Sequence, residues 1–305
     1  MELKSNFVFL AIIVFLVLFI SNLKYYNILP RKREVCDCEK IEDCFFDNII
    51  SMDKSTTPKI FIHIDDPNNI LGLYQLCIES CMKYCSSTYD IILYTNQDIS
   101  KMIDEEDDIL CNIKNVNLLS GQDLKQWEEY CKFKILYKYG GVVMKPYFLF
   151  SSHPDCLDFL PDNLKICRVN NEGISVSNKL IIPTSCYMVA APKKDPTTKI
   201  YLDYLSKKCQ NDYTSDTKYF NKTFEQLSHI DYIPEESIGV VDTNHELVHL
   251  DDILDGKPIK LNSCNYCLFI NMSLLNKQRH RGWILNMSKE QILETSSVLS
   301  NYAKM

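Results

Sequence analysis

The chain has 305 residues, 46% of them hydrophobic and 24% charged, with a formal net charge of −7. This is a globular composition rather than a disordered one, and its acidic balance offers no footprint for nucleic acid, because phosphate binding needs a basic surface. With only 8 glycines, collagen-like and linker-dominated architectures are excluded, so an adjacent Gly pair is informative wherever it occurs.

Residues 1–6 form a short tail. Phe7 to Ile20 is an unbroken apolar run that extends through Leu23, Tyr25 and Tyr26, so 7–26 reads as one transmembrane anchor. A cleaved signal peptide is the alternative, but no small-x-small site follows the run. Lys24, Arg31, Lys32 and Arg33 come after it and would hold the remainder in the cytoplasm. The 14 cysteines and the sequons at Asn221, Asn271 and Asn286 argue for an ER- or Golgi-type lumen, and a lumenal domain on a single-pass membrane protein is the expectation. Residues 27–57, polar and without a sustained period, read as a stalk, where Cys36, Cys38 and Cys44 would supply cross-links.

At Pro58 the texture changes, and 58–305 reads as one large domain with an accessory part at about 210–305. Residues 59–64 (KIFIHI) form a buried-strand pattern that ends in Asp65, Asp66 and Pro67. Residues 71–85 have helical spacing that puts Cys77, Cys81 and Cys85 on one face as small core residues, and 89–94 (YDIILY) is a second strand followed by the turn TNQD. A helix over 99–113, a short strand over 116–119 and a helix over 124–139 follow. Gly140 and Gly141 stop that last helix, and 142–144 starts a strand that Pro146 interrupts. Strands are then expected at 165–169, 180–182 and 187–190, and helices at 197–209, 223–227 and 289–302. Strand–helix alternation with long crossovers predicts an α/β fold: a Rossmann-like, nucleotide-binding domain with a mixed sheet and ligands at the carboxyl ends of its strands.

The stretch Glu129-Tyr-Cys-Lys132-Phe-Lys-Ile-Leu136-Tyr137-Lys-Tyr139-Gly140-Gly141-Val-Val-Met-Lys145-Pro-Tyr147 carries the most information. It resembles the central motif of the Asp-x-Asp glycosyltransferases that include Golgi outer-chain mannosyltransferases and capsular polysaccharide synthesis proteins, variants of which large DNA viruses also encode. Aligned on the Gly pair, Glu129 falls at that family's acid and Lys132 at its Arg, and residues 58–63 and 89–94 resemble its first two strands. The resemblance spans roughly 58–150. It implies a GT-A-like fold, a nucleotide-sugar donor as co-substrate and a glycan acceptor as partner. His63, Asp65, Glu129, Lys132, Gly140 and Gly141 would then contact donor.

In that family two carboxylates at i and i+2 hold a divalent cation against the diphosphate. Here the two positions are Lys145 and Tyr147, which offer no carboxylate, so no metal ligand is assigned to them. Lys145 would either replace the cation in a metal-independent hexosyltransferase, with Tyr147 beside it at the catalytic position, or the site is inactive and the fold serves as a glycan- or protein-binding module. A local account of the same helix is a Glu128–Lys132 salt bridge at i, i+4, with Trp127, Tyr130, Phe133 and Tyr137 as packing residues. His63, Asp65 and Asp66 admit three readings: contact with base or ribose, a replacement metal ligand from one Asp, or a strand-to-loop turn begun by Asp-Pro.

Elsewhere, Cys264-x-x-Cys267 lacks a second pair at zinc-site spacing and reads as a local disulfide or two buried thiols. Residues 246–250 alternate like a strand, which separates His245 and His249 too far to share an ion. Trp283 reads as a buried anchor or a sugar-stacking ring, and Ser288 with Gln291 as the capping box of the last helix.

Overall fold

The computed structural model describes residues 40–46, 56–103, 121–152, 163–167, 187–209, 231–277 and 281–305. The anchor expected at 7–26, the strands at 116–119 and 180–182, the helix at 223–227 and the sequon at Asn221 lie outside the described residues. Among the described residues no helix is long and apolar enough to cross a membrane.

Three parallel strands organise the domain. β1 (Lys59–His63) lies between β2 (Asp90–Tyr94) and β3 (Gly141–Met144), with Ile60 paired to Ile91 on one side and to Val142 on the other. Each is buried along its whole length, as strands covered on both faces are. The crossovers run through α1 (Gly72–Cys85), the single turn α2 (Ile99–Met102) and α3 (Gly121–Tyr139). Of the helix expected over 99–113, the turn Ile99–Met102 forms and the extended backbone of the buried Ile103 ends it; residues 104–113 lie outside the described residues. Gly140 and Gly141 have φ of +71° and +100°, so the Gly pair ends α3 and opens β3 in conformations that other residues rarely adopt.

Three further strands complete a six-stranded mixed sheet in the order β2-β1-β3-β6-β5-β7: β5 (Lys165–Cys167), β6 (Met188–Ala191), antiparallel to β3, and β7 (Asp231–Ile233). β4 (Phe148–Phe150) leaves this sheet at Pro146 and pairs with β8 (Cys267–Phe269) in a separate two-stranded ribbon. On one face of the large sheet, Ile60, Ile62, Val142 and Met144 pack with Ile78, Cys81 and Cys85 of α1. On the other, Phe61, Ile92 and Val143 pack with Phe133 and Leu136 of α3 and with Tyr201 and Leu205 of α4 (Pro196–Cys209). Each such fully buried side chain contributes about 1.5–3 kcal/mol of transfer free energy. A third cluster joins Leu149 and Leu268 to α5 (Leu250–Asp255), α6 (Met272–Lys277), α7 (Lys289–Glu294) and α8 (Val298–Ala303).

Several expectations are corrected. Part of the supposed stalk belongs to the fold: Ile41–Cys44 forms a 3-10 turn, Cys44 is fully buried in the core, and Phe45 forms a parallel bridge to Leu93. The terminal helix expected over 289–302 is two helices, because Thr295 turns extended and the Ser297 hydroxyl caps a new start by accepting from the Ser300 N–H (3.1 Å). The Ser288–Gln291 capping box forms. Trp283 is 39% exposed, and Ile284 beside it fills the buried position. Asn271 is 7% exposed with its side chain turned back to accept from the Leu274 N–H, which makes it a poor glycan acceptor, whereas Asn286 is exposed. Cys267 is a buried thiol in β8 and Cys264 a half-buried one, with no disulfide between them. His245 sits in a left-handed turn and His249 precedes α5, so residues 246–250 do not continue as a strand.

Candidate functional site

From β1 the chain moves to one side to form β2 and to the other side to form β3. The carboxyl ends of β1 and β3 therefore flank a topological switch point, where open α/β sheets bind ligands. His63 ends β1, Asp65 follows it, and Lys145 follows β3. Helix α3 runs antiparallel to β3, so a residue about three turns before its end returns to this same edge. Glu128 is that residue.

These four side chains meet around one point. The Lys145 ammonium lies 2.5 Å from His63 Nδ1, 3.1 Å from Asp65 Oδ1 and 3.9 Å from Glu128 Oε2. On the far side of the ring, His63 Nε2 lies 2.6 Å from Asn96 Oδ1. The ammonium has only protons to give, so Nδ1 must accept and Nε2–H donates to Asn96: His63 is the neutral Nε2–H tautomer. Burial and the Lys145 charge lower the His63 pKa, in agreement. Asn96 is fixed by the turn after β2, where the Asp98 carboxylate accepts from the Thr95 N–H (2.7 Å) and hydroxyl (2.8 Å). Lys145, which donates to Oδ1, holds the Asp65 carboxyl well below the usual carboxylate range, whereas the neutral Nδ1 of His63, 3.3 Å from the same oxygen, has no proton to give it.

The three readings of the Asp pair now separate. Asp66 is exposed and accepts from the Asn68 N–H (3.0 Å), forming the turn, while Asp65 joins the charged group. The other expected site residues lie elsewhere. Glu129 and Lys132 are buried in α3 and pair with each other at 2.8 Å, so Lys132 is engaged by Glu129 at i+3 spacing, and Glu128 instead faces Lys145. Gly140 and Gly141 stand at the amino end of β3, about 13 Å along the strands from the charged group, and serve chain geometry there. A Cβ on Gly140 would press on the backbone of Lys193, and one on Gly141 on the carbonyl of Lys59.

Tyr147 does not share a side with Lys145. Its N–H donates to the Lys145 carbonyl (2.8 Å), closing a three-residue turn at Pro146 that breaks the strand alternation. The ring then packs in an aromatic row, 5.8 Å from Tyr74 and 5.3 Å from Tyr187. Burial pushes the Tyr147 phenol up, and that of Tyr74 to about 12, so both stay protonated donors.

Two participants carry no site signal of their own in the sequence. Helical spacing gives Glu128 to Lys132, and Asn96 reads only as one residue of the turn TNQD. The rule that ligands gather at carboxyl ends of strands, applied to β2 as well as β1, points to Asn96. His63, Asp65 and Glu128 bring three ligand atoms within 4.8 Å of one another, with the Lys145 ammonium between them. No family model matches the chain, and no curated protein matches it.

Proposed function

We propose that the chain is a GT-A-like glycosyltransferase of the Asp-x-Asp superfamily in which the Lys145 ammonium takes the place of the divalent cation. The observation that carries this reading is the position of Lys145 Nζ among His63, Asp65 and Glu128 at the switch point of the sheet. The Leu136-Tyr137-Lys-Tyr139-Gly140-Gly141 string supports it through the resemblance. In this reading a hexosyl group passes from a nucleotide-sugar to a glycan acceptor. The ammonium faces the diphosphate and offsets the charge that grows on the departing nucleoside diphosphate as the anomeric C–O bond breaks. The apolar segment at 7–26 tethers the enzyme to a membrane.

One feature favours a second reading, a binding module without turnover. Asp65 and Glu128 together outweigh the single charge of Lys145, so the group carries about one net negative charge and, as a whole, repels a diphosphate. Titrating the full-length protein in detergent against nucleoside diphosphates and nucleotide-sugars, with manganese and with chelator, separates the two. Binding that survives chelator and is lost in Lys145→Ala, together with sugar transfer, is the expected result. Binding that demands metal, or no binding by folded protein, would overturn it. Chelator-resistant binding without transfer would assign the module.

A further inference from the structure

We propose that His63, Asp65 and Glu128 form a divalent-cation site that the chain keeps filled with its own Lys145 ammonium. This deepens the reading of Lys145 as a resident cation and rests on it, but requires no sugar donor. The site is distinct from positions 145 and 147 themselves, since its ligands come from the end of β1, the loop after it and α3.

The donor chemistry is that of a metal cage. One imidazole nitrogen and two carboxylates make a mixed N/O set suited to borderline first-row divalent ions, with a further position open to water or substrate. Asn96 holds His63 by Nε2–H at 2.6 Å and so turns the Nδ1 lone pair into the cage, which is the outer support that metal-bound histidines have. His63 is 5% exposed, which withdraws the nitrogen ligand from bulk water, while Asp65 keeps the cluster open to solvent on one side. Charge supplies the second argument. A single ammonium balances only one of the two carboxylates, whereas a divalent ion at the same point balances both. Lys145 fills the position with its hydrogen bonds at 2.5 and 3.1 Å, and with a tethered side chain it competes at high effective concentration against any free ion.

The test is cobalt(II) titration of full-length wild type and Lys145→Met, followed by absorption, in the absence of nucleotide. Cobalt on nitrogen and oxygen lacks the thiolate charge-transfer band that binding to any of the 14 cysteines would produce. Lys145→Met keeps the aliphatic stem and is expected to bind one equivalent without that band, at least about tenfold more tightly than wild type. Adding Asp65→Asn should weaken this about tenfold or more, and adding Asn96→Ala about 10–100-fold, the range for loss of an outer partner. Folded Lys145→Met that binds no cobalt, binds it only through thiolate, or binds it no tighter than wild type would overturn the proposal. If Lys145→Met does not fold, Lys145→Gln, which retains a donor for Asp65, carries the same comparison. Absent nucleotide binding alongside cobalt uptake in the variant would sink the glycosyltransferase reading alone.

Discussion

Lys145 Nζ and His63 Nδ1 stand 2.5 Å apart, one residue beyond Met144 and Ile62, the last paired positions of two neighbouring parallel strands. The contact joins a cation to a neutral ring at the edge of the sheet, and the ring must remain neutral for it to exist.

Acid should therefore weaken the fold through His63. Its folded pKa is below the ordinary 6.5, so between the two values the unfolded chain holds a proton that the folded one does not. Stability contributed by the neutral ring is complete above about pH 6.5 and declines as pH falls below it, at up to about 1.4 kcal/mol per unit. Facing the ring are Lys145, Asp65 and Glu128, with the Tyr94 ring tilted against it at 5.2 Å and Asn96 behind. Urea midpoints at about pH 7.5 and about pH 5.5 should separate more in wild type than in His63→Gln. Equal separation in the two proteins would remove His63 as the cause.

The Gly pair makes a different prediction. Gly141 has a φ of +100° and no room for a Cβ against the Lys59 carbonyl, so Gly141→Ala should cost about 2–3 kcal/mol. Gly140, at φ +71°, lies in the left-handed region that Asn can adopt, but a Cβ there would press on the Lys193 backbone, so Gly140→Asn should also cost about 2 kcal/mol. Because both lie at the opposite edge from Lys145, nucleotide affinity of the folded variants should match wild type. Denaturant melts together with the nucleotide titration check both halves.

Residues 40–46 are part of the cooperative fold. Cys44 is fully buried, and Ile41 and Phe45 pack on the same core. A chain starting at residue 56 should be about 2 kcal/mol or more less stable than one starting at residue 38, at the transfer value of one or two large apolar side chains. Matching midpoints would return the segment to the status of a stalk.

The parallel half of the sheet was readable because its signals are local. Runs such as KIFIH and DIILY, and the Gly pair that ends α3, carry their own punctuation. The separate β4–β8 ribbon was not readable, since Phe148 and Phe269 pair across more than a hundred residues and no local pattern announces a strand that changes sheets. At the site, His63, Asp65 and Lys145 follow from strand ends. Glu128 does not: its i+4 neighbour Lys132 satisfies the helical rule, and only the return of α3 across the sheet reveals Lys145 as the charge it faces. The same limit explains Tyr147, where one turn at Pro146 outweighs the two-residue alternation of a strand.

Cys77, Cys81, Cys85 and Cys267 are each at most 1% exposed, so no reagent reaches them in the closed molecule, and burial raises the thiol pKa of Cys77, Cys81 and Cys267. Alkylation of these sulfurs can proceed only through moments when α1 lifts from the sheet. With rapid reclosure, the labelling rate divided by that of an unfolded thiol equals the fraction of time the layer stands open. The protein thus carries a set of native clocks, and timing Cys81 and Cys85 against Cys267 would show whether the helix detaches alone or together with the β4–β8 ribbon.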